Sequence, residues 1–165
     1  MKKFTVVFVL FLAVFVLFSC KSTASGAKIE GEVTQEKVDD ALGQIYNTYR
    51  PSLDLSGAQN YAVVRGDSLS DITRKYYGDL KDVGDAGSRN GFYFPVIMLA
   101  SEGKIVDPDL IEPGMQLKVP DLKKNLNNPS ARKAIKDCLN DVAYVYSKKN
   151  KPAEEEGLKK LAASL

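Results

Sequence analysis

The first helical pattern in the chain lies between residues 34 and 50. Its apolar residues fall at i, i+3, i+4, i+7, i+8 and i+11, which places all of them on one face of a helix: Val38, Ala41, Leu42, Ile45, Tyr46 and Tyr49. Pro51 ends the pattern, because the residue before a proline is disfavoured in the α region. The sequence therefore predicts an amphipathic helix whose apolar face needs a surface to pack on.

A longer helical pattern begins at Asn128 and Pro129, a capping residue followed by proline at the first helical position. This helix is predicted to run to about Lys149, with an apolar face made of Ala131, Ala134, Ile135, Cys138, Leu139, Val142, Val145 and Tyr146. A weaker helix follows Pro152. Gly157 lowers its intrinsic helix propensity, and its apolar side consists of Leu158, Leu161 and Leu165.

Between these helices the pattern changes to short strands and short helices. The β-branched and aromatic run 61–65 predicts a strand, and Ser68 with Asp71 can form a capping box that starts a helix. Pro95 leads a second helix. Residues 116–119 alternate polar and apolar side chains and predict a second strand with two inward residues, Leu117 and Val119. A two-stranded ribbon is marginal alone, so we expect antiparallel strands resting on both helices.

Antiparallel pairing would bring two turns together, one after the first strand and one before the second. A shallow groove lined by backbone amides and aliphatic side chains can then form between them. The first turn reads Gly66-Asp67-Ser68-Leu69, and the second region, 105–120, contains Asp107-Pro108-Asp109-Leu110-Ile111 and then Pro113-Gly114. Together they resemble the two ends of a LysM domain, and the resemblance covers residues 61–120.

A LysM domain has a βααβ fold and binds the N-acetylglucosamine units of peptidoglycan or chitin, so the resemblance implies both properties here. Its sugar-binding turns correspond, position by position, to Gly66, Asp67, Ser68, Leu69, Ile105, Asp107, Asp109, Leu110 and Ile111. Backbone amides and aliphatic side chains can recognise an N-acetyl group without any charged partner. The polar residues can also serve as caps and turn formers, and Asp71 and Pro108 are given only that structural role.

The chain departs from the family pattern in two places. Residues 78–92 form a Gly- and Asp-rich insertion between the two helices, which we expect to be a surface loop. Ser101 stands where an Asn is common near the end of the second helix, so the anchoring of the following loop is expected to differ.

The N-terminus has the pattern of a secretory signal. Residues 4–18 are apolar except for Thr5 and follow Lys2 and Lys3. As a helix they would rise about 22 Å, less than the roughly 30 Å of a bilayer core, so they suit a cleaved leader better than a permanent span.

Cys20 follows this apolar segment directly. The sequence 17–20, Leu-Phe-Ser-Cys, resembles the lipobox of bacterial lipoproteins, although Phe18 is unusual there. The resemblance implies a lipidated Cys20 and a membrane anchor, and the other possibility is ordinary cleavage nearby. Cys138 is the only other cysteine, and we expect it to be buried in its helix.

Composition narrows the classes of function. The chain has no His, the side chain most often used for acid–base catalysis, and we predict neither a metal site nor a cofactor. Since two of the 23 basic residues lie in the leader, the chain after residue 19 has 21 basic and 21 acidic residues. That balance gives no basis for binding nucleic acid.

The sequence thus predicts an α+β protein in which flanking helices accompany a βααβ LysM module. Its expected segments are a signal peptide, a flexible tether, a helix with a loop, the LysM domain and a helical extension, over residues 1–19, 20–33, 34–60, 61–120 and 121–165.

The leading functional hypothesis is a non-catalytic cell-envelope lipoprotein that binds peptidoglycan glycan strands. Lys21 is not the Asp that signals inner-membrane retention in some bacteria, so we expect the periplasmic face of an outer membrane. The alternative is a structural or assembly lipoprotein whose LysM fold and flanking helices dock a protein partner. A hydrolase is disfavoured, because the acids near the groove are better explained by turns: Asp67, Asp107, Asp109 and Glu112.

Overall fold

The computed structural model describes residues 28–78, 87–101 and 103–165. Its helices and strands are α1 (Gln35–Tyr49), β1 (Gln59–Ala62), α2 (Leu69–Tyr77), α3 (Phe94–Ala100), β2 (Gln116–Val119), α4 (Leu122–Asn127), α5 (Pro129–Lys148) and α6 (Pro152–Ser164). The protein is α+β, with β1, α2, α3 and β2 in the predicted order. The signal peptide and Cys20 lie outside the described residues. No helix within those ranges is long and apolar enough to cross a membrane.

The two strands form an antiparallel sheet in which Gln59 pairs with Val119 and Ala62 with Gln116. The pairing continues past β1, because the Val63 N–H donates to the Met115 carbonyl at 2.9 Å and the Gly114 N–H donates to the Val63 carbonyl at 2.8 Å. β1 begins two residues before the predicted strand, whereas β2 has the predicted bounds. Its predicted inward residues are buried: Leu117 and Val119.

The three helices predicted from apolar periodicity are confirmed as α1, α5 and α6. Thr34 caps α1, and the Asn128 side chain accepts hydrogen bonds from the first amides of α5. Every residue of the predicted apolar faces of α1 and α5 is buried. The helices therefore follow from the 3.6-residue period, and tertiary packing uses the faces that the period defines.

The core of the protein is centred on α5. This helix packs against α1, α3, α4 and α6, and most of the buried apolar residues of these elements belong to one cluster. Cys138 is buried in it, as expected. Since each fully buried aliphatic side chain contributes about 1.5–3 kcal/mol, the central βααβ unit and the flanking helices stabilise each other.

Three local features differ from the predictions. Helix α4 was not predicted, because it is short and its signals are weak. The surface-loop prediction is wrong for the end of the insertion, which belongs to the 3₁₀ helix Gly87–Tyr93 and in which Asn90 is buried, while residues 79–86 lie outside the described ranges. In the predicted tether, Ile29 is buried, and its N–H and carbonyl both bond to the Tyr144 hydroxyl, at 3.1 and 3.3 Å.

Ser101, which stands where the family pattern has an Asn, is buried at the end of α3 and links this helix to β2. Its hydroxyl donates to the Ile97 carbonyl at 2.7 Å and accepts from the Lys118 N–H at 3.1 Å. The loop after α3 is therefore anchored by a serine hydroxyl.

Gly157 has a packing role in α6. The ring of Phe92, from the end of the insertion, lies against the helix backbone there, and a Cβ at residue 157 would overlap the ring atoms. The glycine that weakens the helix locally thus allows α6 to approach the insertion closely.

We predict that Gly157→Ala lowers the free energy of unfolding, although Ala is intrinsically about 1 kcal/mol better than Gly inside a helix. The steric overlap with Phe92 must be relieved by moving the ring or the helix, which typically costs 1–3 kcal/mol. Chemical denaturation followed by circular dichroism measures the change.

Gly43→Ala is the matched control, since Gly43 lies inside α1 with no atom within 4 Å of the added Cβ. It should raise the free energy of unfolding by roughly 0.5–1 kcal/mol. Stabilisation by both substitutions would contradict the packing role of Gly157.

Candidate functional site

The first turn, between β1 and α2, is fixed by its own hydrogen bonds. Gly66 has φ +96°, a conformation that favours glycine. The Asp67 carboxylate accepts from the Val64 N–H and the Tyr61 hydroxyl, both at 2.8 Å. Ser68 caps α2 by accepting from the Asp71 N–H at 3.1 Å, so the predicted cap is present. These hydrogen bonds, all made within the segment 61–71, define the conformation of the turn.

The second turn, between α3 and β2, is held both from within and from α5. The Asp107 carboxylate accepts from the Asp109 N–H at 2.9 Å, and the Asp107 carbonyl accepts from the Leu110 N–H at 3.0 Å. Lys149 Nζ contacts both Asp107 oxygens at 2.8 Å and the Asp109 carboxylate at 2.6 Å. One ammonium group therefore bridges the two carboxylates that form this turn.

Other residues outside the βααβ unit also hold the second turn. Tyr146 and Lys151 donate to Asp109 at 3.0 and 2.7 Å, and Tyr46 of α1 donates to the Val106 carbonyl at 3.2 Å. The flanking helices thus position the candidate sugar-binding loop.

Burial and hydrogen bonding oppose each other at these carboxyls. Burial raises the pKa of Asp107, and hydrogen bonds from Lys149, the Asp109 amide and Gln35 outweigh it, so the pKa lies below its ordinary value. Burial likewise raises the pKa of Asp109, but hydrogen bonds from Lys149 and Lys151 outweigh this effect, so its pKa is also lowered. Hydrogen bonds from the Val64 amide and the Tyr61 hydroxyl lower the pKa of Asp67. All three groups are carboxylates at neutral pH.

A cavity of about 240 Å³ lies between the two turns. The first turn contributes Asp67, Ser68, Leu69 and Ser70, and the second contributes Pro108, Asp109 and Ile111. The remaining lining residues are Phe92, Phe94, Tyr146 and Glu154. The structure therefore brings the two predicted turns together around a space that side chains do not fill.

The predicted site residues occupy different depths. Of the nine, five line the cavity: Asp67, Ser68, Leu69, Asp109 and Ile111. Ile105 and Asp107 are 1% and 4% exposed, so they support the second turn from below. Leu110 is 62% exposed and, like Gly66, lies on the surface near the cavity without lining it.

Sequence reasoning missed the residues that reach the cavity from elsewhere. Phe92 and Phe94 come from the end of the insertion and the start of α3, and Tyr146 and Glu154 come from α5 and α6. Tyr146 was predicted only as part of an apolar face. Helical spacing gives no signal that one end of that face reaches a cavity.

A larger open cavity, of about 470 Å³, lies at the C-terminal end of α1, between Gly43, Arg50, Leu55 and Gly103. It contains no residue of either turn, so size alone does not identify the candidate site. Among the described residues, no three His, Cys, Asp or Glu side chains are grouped as a metal ion would require.

We predict that Lys149→Ala lowers the free energy of unfolding by about 3 kcal/mol at neutral pH, because the buried Asp107 carboxylate loses its cation and the partly exposed Asp109 carboxylate loses one of its two cationic partners. The loss should shrink as the pH falls below about 4. The pKa values of Asp107 and Asp109 are lowered in the folded protein, so the stability they supply is present above the ordinary carboxyl pKa and is lost at lower pH. Urea titrations from pH 7 to pH 3 measure both effects.

Lys133→Ala is the control, because Lys133 pairs with Asp137 on the surface of α5 with its side chain 76% exposed. Its effect should stay within about 0.5 kcal/mol at each pH. Equal effects of the two substitutions would show that the Lys149 pairs are no more important than a surface ion pair.

One family model matches the chain, that of the LysM domain, over residues 61–120. Neither a curated protein nor a solved structure matches. The matched segment begins in β1, ends directly after β2 and contains both turns of the candidate site. Residues 61–120 are therefore a LysM domain, a member of a family of modules that bind carbohydrate of the peptidoglycan and N-acetylglucosamine type.

Proposed function

We propose that this protein is a non-catalytic cell-envelope lipoprotein that binds the N-acetylglucosamine units of peptidoglycan through the cavity between its two turns. The observation that carries the proposal is the convergence of Ser68 and Ser70 with Pro108 and Ile111, all within the matched segment, on one unfilled cavity. Hydroxyl and backbone groups can bond to an acetamido group there, and the aliphatic and aromatic walls suit its methyl and the faces of the sugar.

The carboxyls of the site support a binding role. A glycosidase needs a general acid whose pKa is raised so that it carries a proton near neutral pH. At this site the pKa values of Asp67, Asp107 and Asp109 are lowered instead. Hydrogen bonds and ion pairs already occupy these groups, which suits turns of fixed shape.

The flanking helices favour peptidoglycan over the alternative of a docked protein partner. The apolar faces of α1 and α5, both fully described, are buried within this chain. Neither helix leaves an exposed apolar stripe of the kind that marks a protein interface.

We further propose that Cys20 carries the lipid and that the protein faces the periplasm from the outer membrane. A single shallow site is expected to bind short glycans with millimolar to micromolar affinity, or about 4–8 kcal/mol. An anchored protein that faces a polymeric ligand rebinds at high local concentration, so weak contacts can sum to a stable link.

A sedimentation assay with purified peptidoglycan tests the binding proposal. Protein lacking residues 1–20 should sediment with the sacculi, and Ser70→Tyr should bind at least about tenfold more weakly, a change of about 1.4 kcal/mol. Ser70 lines the cavity, so a tyrosine ring there would fill the space that the sugar needs.

Ser130→Tyr is the matched control. Ser130 is the second residue of α5, as Ser70 is the second residue of α2, and each follows a side-chain N-cap, but Ser130 is exposed and away from the cavity. It should sediment like the wild type. The proposal fails if wild-type protein remains in the supernatant or if the two variants bind equally well.

Metabolic labelling tests the anchor. Radiolabelled palmitate should enter the full-length protein and not Cys20→Ala, because the thiol is the expected site of acylation, and the wild type should partition with membranes. Equal labelling of both proteins would rule out Cys20 as the anchor.

A further inference from the structure

Three successive acids lie near the start of α6, and of these Glu154 alone belongs to the lining of the cavity between the turns. The other two each pair with the lysine four residues further on, at 2.5 Å: Glu155 with Lys159 and Glu156 with Lys160. The residue four positions after Glu154 is Leu158, which is buried. Glu154 therefore lies on the face of α6 that packs on the protein, whereas the two lysines are exposed.

The Glu154 carboxylate is available to a ligand. Within the part of the chain that the structure describes, it takes part in no hydrogen bond or ion pair. It is partly exposed, and the cavity that it lines is open to solvent. An acid in the first turn of a helix also interacts favourably with the helix dipole. Glu155 does so from the same turn without lining the cavity, so the dipole does not account for the position of Glu154.

The other carboxylates that line the cavity already have partners. Asp109 pairs with Lys149 at 2.6 Å and with Lys151 at 2.7 Å. The Asp67 carboxylate accepts from a backbone amide and a tyrosine hydroxyl, both at 2.8 Å. The described lining contains no lysine or arginine. Among the described groups, Glu154 therefore presents the uncompensated negative charge of the cavity.

An ionised carboxylate only accepts hydrogen bonds. The hydroxyl groups and the acetamido N–H of N-acetylglucosamine are neutral donors, and a bond from such a donor to a carboxylate is stronger than a neutral one. N-acetylmuramic acid, the other sugar of a peptidoglycan strand, carries a lactyl group that ends in a carboxyl. Beside Glu154 that group would meet a like charge in a partly buried site, where repulsion is stronger than in water.

We propose that Glu154 is a specificity-determining residue of the site, which accepts hydrogen bonds from N-acetylglucosamine and disfavours a sugar that carries a carboxylate. This inference rests on the proposed peptidoglycan binding and names the unit of the strand that the cavity takes. Glu154 lies outside residues 61–120. The C-terminal extension thus takes part in recognition as well as in folding.

Glu154→Gln tests the inference, because it keeps the size of the side chain and removes its charge. Two tetrasaccharides are titrated into protein lacking residues 1–20. One consists of N-acetylglucosamine alone, and in the other N-acetylglucosamine alternates with N-acetylmuramic acid that carries no peptide. The wild type should bind the neutral sugar at least about fivefold more tightly than the anionic one.

The substitution should move the two affinities in opposite directions. The Kd for the neutral sugar should rise at least about threefold, because a charge-assisted hydrogen bond is lost. The Kd for the anionic sugar should fall at least about threefold, because the repulsion is removed. A merely structural role of Glu154 would weaken the binding of both sugars.

Glu156→Gln is the matched control, because it removes the same charge from the same helix outside the cavity lining. Glu156 and its partner Lys160 are both exposed, so neither Kd should change by more than about 1.5-fold. Equal effects of the two substitutions would mean that only the overall charge of α6 matters, and this would overturn the inference.

The remaining outcomes separate the inference from the proposed function. Wild-type protein that binds neither the tetrasaccharides nor sacculi would defeat the proposed function itself. If it binds sacculi or the neutral sugar but shows no preference between the two tetrasaccharides, only the inference fails. The inference also fails if Glu154→Gln leaves both affinities unchanged or weakens both.

Discussion

The ion pairs of Lys149 with Asp107 and Asp109 are the interaction on which the shape of the site depends. Two carboxylates two residues apart form the second turn, and without a cation they would repel each other at short range. Lys149 contacts both, and its side chain is only 13% exposed. Burial of an ammonium group is costly, but the carboxylates and the Tyr146 ring, 5.3 Å from Nζ, offset that cost.

The same interaction joins two parts of the sequence into one site. The second turn belongs to the LysM domain, whereas Lys149 directly follows α5 in the C-terminal extension. Since α5 is also the centre of the described core, the position of the turn is tied to the helix on which the other elements pack. The extension thus holds the second turn of the candidate site and contributes Tyr146 and Glu154 to the lining of the cavity.

This arrangement suits an anchored binding protein. A site that is rigid before binding loses little conformational entropy when the sugar enters, which favours affinity even where the contact area is small. Ile29 is fixed against Tyr144 and lies only nine residues after the proposed lipid site at Cys20. In the proposed setting, that short connection would hold the glycan site close to the membrane surface.

The amino-acid sequence by itself determined five of the six described α-helices, the two strands and the domain. Apolar periodicity defined the buried faces of α1 and α5, and the Gly66-to-Leu69 turn with the region before Pro120 identified the LysM domain, because both signals are local. The sequence could not show that Phe92 packs on Gly157, that Lys149 pairs with both Asp107 and Asp109, or that Tyr146 and Glu154 line the cavity. Those contacts join residues about 40 to 90 positions apart in the sequence. Only the packing of α5 and α6 onto the domain decided them, because residue spacing along a chain does not show which distant side chains come into contact.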